Sequence, residues 1–61
     1  MKKVIEILMK RDNLTRQEAV DLVHDVQDML EDAIANGDYD EAEEIMYSEL
    51  GLEMDYIYDL I

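Results

Sequence analysis

Four aspartates, Asp21, Asp25, Asp28 and Asp32, recur at steps of four, three and four residues. On a helix that spacing sets one carboxylate on each turn of a single face, about 5.4 Å apart. Such a ladder can gather cations loosely, or it can hold fixed negative charge against a basic surface. It is not free of cost, since like charges four residues apart destabilise a helix by roughly 0.2–0.5 kcal/mol per pair, and selection for stability alone would alternate Asp with Lys. No Lys or Arg follows Arg16. Asp40, Glu43 and Glu44, then Asp55 and Asp59, extend the acidic set. Tyr47, Tyr56 and Tyr58 lie among these acids, and tyrosines concentrate binding energy at interfaces. The residues expected to meet a partner are therefore Asp21, Asp25, Asp28, Asp32, Asp40, Glu43, Glu44, Tyr47, Asp55, Tyr56 and Asp59. The competing reading is a solvated face that meets only water.

Catalysis has less to draw on. A nucleophile needs a hydroxyl or thiol beside a positioned base; there is no Cys, and Ser48 and His24 fall on different helices. His24 reads as a boundary residue beside Val20 and Gln27. Asp21 and His24 have the i, i+3 spacing that bundle metal sites use as Glu-x-x-His, but the acid is one carbon shorter and falls on the polar face. Asp38-x-Asp40 starts like a calcium loop and lacks its glycine and its distant bidentate Glu. Neither an enzyme nor a cofactor or built metal site is expected.

The ladder needs a long helix to carry it, and the sequence marks both ends of one. Thr15 and Glu18 have the capping-box spacing. Ala19, Leu22, Val23, Val26, Met29, Leu30 and Ala33 follow at helical steps of three and four, and Asn36-Gly37 supplies a left-handed stop. Helix two is thus predicted over about 15–36. Before it, a helix over about 2–11 turns Val4, Ile5 and Leu8 inward with Ile7 at the margin; Lys10 and Arg11 suit the carbonyl pole of its dipole. Asp12-Asn13 turns the chain, and Leu14 precedes the Thr15 cap. After Gly37, Asp38 caps a third helix over about 39–50 that buries Tyr39, Ala42, Ile45, Met46 and Leu50, with Gly51 as its stop and Leu52 as the apolar contact beyond. A short helix over about 54–60 sets Met54, Ile57, Tyr58 and Ile61 at helical spacing. Two turns are unstable alone, so this one must dock or fray.

The expected fold is all-α, a single domain over 1–61: a small bundle of three main helices plus a short C-terminal helix, with one long central helix. Sixty-one residues lie near the lower limit for independent folding. The formal charge of −12 is unevenly spread, since all five basic residues lie in the first sixteen positions, against two acids there and fifteen afterwards. That balance disfavours direct contact with nucleic acid or anionic lipid. Nothing approaches the length of a membrane span, and Glu6 interrupts the apolar run that would otherwise suggest a signal peptide, so a cytoplasmic protein is expected. Helix two also carries a second stripe, Val20, Leu30 and Ile34, expected to be incompletely covered within one chain, which predicts a homodimer.

Two resemblances accompany these patterns. The turn Asn36-Gly37-Asp38-Tyr39-Asp40-Glu41-Ala42 is similar to the hairpin turn of tetratricopeptide repeats, without a second copy at their period. Leu8-Met9-Lys10-Arg11-Asp12, Glu18-Ala19, Gly37-Asp38-Tyr39, Glu41-Ala42-Glu43 and Leu50-Gly51-Leu52 with Asp55-Tyr56 and Asp59-Leu60 resemble short acidic proteins encoded in phages and prophages of Gram-positive bacteria. That resemblance implies an accessory protein working in a bacterial host. The function expected is protein binding: an inhibitor that presents a nucleic-acid-mimicking acidic surface to the basic surface of a host nucleic-acid-handling protein. The alternative is an assembly module that acts by helix-mediated self-association.

Overall fold

A computed structural model describes residues 2–60. Every regular element among them is helical: α1 (Lys2–Arg11), α2 (Arg16–Ala35), α3 (Tyr39–Ile45), a π turn (Met46–Leu50) and a C-terminal 3-10 helix (Met54–Asp59). The all-α bundle built around one long central helix is the architecture the spacing predicts. Ile61, expected on the last helix, lies outside the described residues.

Local chemistry sets the bounds of α2. Thr15 Oγ1 accepts from the Glu18 N–H at 3.1 Å and the Glu18 carboxylate accepts from the Thr15 N–H at 2.9 Å, so both halves of the capping box are made. At the other end Gly37, at φ +72°, lets its own N–H reach Ile34 O and that of Asp38 reach Ala33 O, each at 2.9 Å. This is the double closure that ends a helix through a left-handed glycine. Asp38 then accepts from the Glu41 N–H at 3.0 Å and starts α3.

One stripe of α2, Ala19, Val23, Val26, Leu30 and Ala33, is buried against Val4, Ile5 and Leu8 of α1 and Ala42, Met46 and Leu50 beyond the hairpin. A fully enclosed Leu such as Leu8 or Leu30 contributes roughly 1.5–3 kcal/mol. Leu22 and Met29 fall to the flank of this stripe, half-buried and 39% exposed respectively. Leu30 is enclosed within the single chain, so the second stripe reduces to the half-buried Val20 and Ile34.

Length decides what remains uncovered. At ten residues against twenty, α1 runs beside about half of α2, roughly 15 Å of 30 Å. Because α1 packs back from the Asp12–Thr15 turn, it stops short of the α2–α3 hairpin tip. Tyr39 sits at that tip and is 63% exposed, which corrects the expectation that it is buried. Its register points inward, but no third element covers it.

The third helix also departs from a uniform α winding. Each four-residue step in an α-helix overshoots its face by about 40°. Over Met46–Leu50 the chain loosens into a π turn, which steps back and brings Leu50 into line with Ala42 and Met46. Gly51, at φ +64°, closes it. Two carbonyls at this end are taken by Arg11: its Nη2 donates to Leu50 O at 2.6 Å and its Nη1 to Gly51 O at 3.3 Å. Asp12 grips the same guanidinium at 2.9 and 2.8 Å, which raises the Arg11 pKa and holds the Asp12 carboxyl below its ordinary range. Arg11 was expected to serve the dipole of its own helix; in the fold it joins α1 to the end of the third helical segment.

A Cβ at Gly51 would lie 3.3 Å from Arg11 Nη1, whereas nothing lies within 4 Å of one at Gly37. Gly37→Ala should therefore cost only the left-handed strain, about 1–2 kcal/mol. Gly51→Ala should cost more, with the excess vanishing in an Arg11→Met background. Denaturant melts of the four variants check this, and equal penalties at the two glycines in the parent would refute it.

Candidate functional site

The ladder lies where the period of α2 requires. Asp21, Asp25, Asp28 and Asp32 each stand two residues beyond a buried member of the core stripe, a rotation of about 200°, and all four are exposed. Gln17 Nε2 donates to Asp21 Oδ1 at 2.9 Å, a neutral i, i+4 contact that supports the first rung. His24 is also exposed on this helix. Asp40, Glu43, Glu44 and Tyr47 are exposed on α3 and the π turn, Tyr47 at 77%. They point away from the core face of their own segment, so ladder and α3 acids occupy separate outer faces.

The remaining three predicted residues are brought together by the C-terminal 3-10 helix. Three residues per turn makes positions i and i+3 eclipse, which sorts this helix into three rows. Met54, Ile57 and the following Leu60 face the core; Tyr56 and Asp59 are half-buried at the flank; Asp55 and Tyr58 face out. An α winding would have kept Tyr58 on the side of Met54 and Ile57; the 3-10 winding leaves it 81% exposed, in line with its place among the tyrosines expected to meet a partner. Leu60 takes the inward place.

This helix docks rather than frays. Ile57 and Leu60 enter the core, Gln27 Nε2 of α2 donates to Leu60 O at 2.7 Å, and Asp59 Oδ2 accepts from the Val4 N–H at 3.0 Å. The last contact supplies α1 with what its own sequence lacks, since its first turn has no acid. A carboxylate there satisfies an orphan N–H and meets the positive end of the helix dipole. Burial pushes the Asp59 carboxyl up, but the positive charge and N–H donors at the start of α1 outweigh it, so the pKa is lowered.

Docking creates a shallow depression of about 370 Å³ lined by Lys3, Asp55, Tyr56, Tyr58 and Asp59. A second, of about 220 Å³, continues past Tyr56 and is lined by Lys3, Glu6, Ile7 and Lys10 as well. Lys3 and Lys10 were absent from the expected site. The signal was present in the sequence, because Lys3, Glu6, Ile7 and Lys10 follow the i, i+3, i+4, i+7 rule of one helix face. Their proximity to the last helix was not.

Among the described residues no group of three or more His, Asp or Glu side chains is placed to hold a metal ion, and no helix is long and apolar enough to cross a membrane. No protein-family model, curated protein or solved structure matches this chain.

Because the folded pKa of Asp59 lies below its unfolded value, the native state binds fewer protons there. The stability it contributes is present above the ordinary Asp range and is lost as pH falls through the lowered folded value. Asp59→Ala should cost about 1 kcal/mol at neutral pH, the worth of a helix cap. Melting curves should show the gap from the parent narrowing below about pH 4; a gap that stays constant down to pH 2 would contradict the assignment.

Proposed function

We propose that this protein is a non-enzymatic binding module whose acidic surface occupies a basic, nucleic-acid-binding groove on a host protein. The observation that carries the reading is the ladder on α2. Asp21, Asp25, Asp28 and Asp32 are all exposed on the back of the longest helix, and no Lys or Arg occurs in the chain after Arg16 to neutralise them. A groove built for phosphates concentrates Lys and Arg, and its affinity comes largely from long-range attraction and counterion release. A capped helix with one carboxylate per turn offers comparable charge in fixed positions, and the acids of α3 add charge on a second face. The resemblance to phage-encoded proteins points only to the cytoplasm of a bacterial host; the nucleic-acid-handling class of the partner follows from the acidic surface.

Charge alone would bind any basic protein, so selectivity must come from shape and from contacts around the acids. The expected outcome concerns kinetics. With a partner captured from bacterial lysate at low salt, the variant carrying Asp21→Asn, Asp25→Asn, Asp28→Asn and Asp32→Asn should associate about tenfold or more slowly. Its salt dependence should flatten while its circular dichroism stays that of the parent. Association as fast as the parent's would leave the ladder a solvated face.

A further inference from the structure

We propose that the depression between α1 and the C-terminal 3-10 helix is an anchor pocket for an arginine side chain. The inference rests on the reading above, that the partner is basic, and assigns the contact that makes such a partner selective. Two tyrosines line this pocket, Tyr56 half-buried and Tyr58 81% exposed. Tyr58 plays no part in the core, and a large ring carried into water by a two-turn helix is placed to meet something else. Asp55 shares its row and is exposed beside it.

Aromatic faces with an adjacent carboxylate suit a guanidinium better than an ammonium. The guanidinium is planar and weakly hydrated, stacks on a ring and donates to a carboxylate through two parallel N–H groups. A lysine ammonium is a compact, strongly hydrated point charge that gains less from the rings. The helix that carries one wall is held before a ligand arrives, since Asp59 accepts from the Val4 N–H and the carbonyl of the following Leu60 accepts from Gln27. Preorganisation of this kind lowers the entropy lost on binding.

Lys3 also lines the pocket and gives the proposal a distinctive sign. Its ammonium repels an arriving cation and competes for the same carboxylates, so its removal should strengthen arginine binding. An anion-binding depression would respond in the opposite direction.

The probe is a blocked Gly-Arg-Gly peptide, titrated at low salt into the isotope-labelled full chain and followed by amide chemical shifts, with Gly-Lys-Gly and Gly-citrulline-Gly alongside. Saturable shifts should centre on Asp55 to Asp59 and on Lys3, with the arginine peptide binding about two- to fivefold more tightly than the lysine one. The uncharged citrulline peptide should leave these amides unmoved. Tyr58→Ala, which removes a side chain without a core role, should weaken binding by a similar factor, and Lys3→Met should strengthen it. Shifts confined to Asp21–Asp32, or equal affinities for the arginine and lysine peptides, would overturn the pocket and leave the acidic-surface reading standing. Weaker binding on Lys3→Met would also overturn it. If the pocket binds arginine as described while the ladder variant associates with its partner like the parent, the ladder reading fails and the pocket remains.

Discussion

A two-turn 3-10 helix has no stability of its own, so Met54–Asp59 stays where it is only by what it buries and what it satisfies. It buries Ile57 and is followed by the buried Leu60; it supplies Asp59 to the head of α1 and receives Gln27 at its end. The debt is mutual. With no acid in its first turn, α1 depends on a carboxylate 55 residues away for its cap. The candidate pocket exists because of this docking, for one wall is α1 and the other is the 3-10 helix.

The same economy runs through the other end of the bundle. Arg11 is one of only five basic residues in the chain, and its guanidinium is shared between Asp12 and the carbonyls of Leu50 and Gly51. Exposed ion pairs contribute little by themselves. Here the pair orients a charged donor toward helix-end carbonyls, a stronger kind of hydrogen bond. Charge segregation follows from this placement: the basic residues sit on α1 and at the first position of α2, Arg16, and beyond it the helices carry acids without any Lys or Arg. The resulting self-repulsion costs compactness but leaves the outer faces of α3 and of α2 beyond Arg16 without Lys or Arg.

Much of the bundle was legible because its signals are local. The Thr15–Glu18 box, the Gly37 closure and the Asp38 cap involve residues at most five apart, and each formed as its spacing implied. The ladder was legible for a related reason, since the period that buries Val23 and Val26 must expose Asp25 and Asp28. Local signals were silent about the length of cover. Tyr39 has the register of a core residue and lies in water because α1 is too short to reach it.

Covalent spacing and a fixed period are enough to specify where the helices lie, the caps of α2 and α3, the core stripe of α2 and the sidedness of its charge. The winding of the last two segments came from packing. Packing Leu50 under Met46 loosened one turn into a π turn, and docking Ile57 with Leu60 tightened another into a 3-10 helix. A change of winding alters which residues share a face, and it turned Tyr58 out and Leu60 in. It also brought Lys3 beside Asp55 and Tyr56, a neighbourhood between residues more than fifty positions apart that no local period encodes.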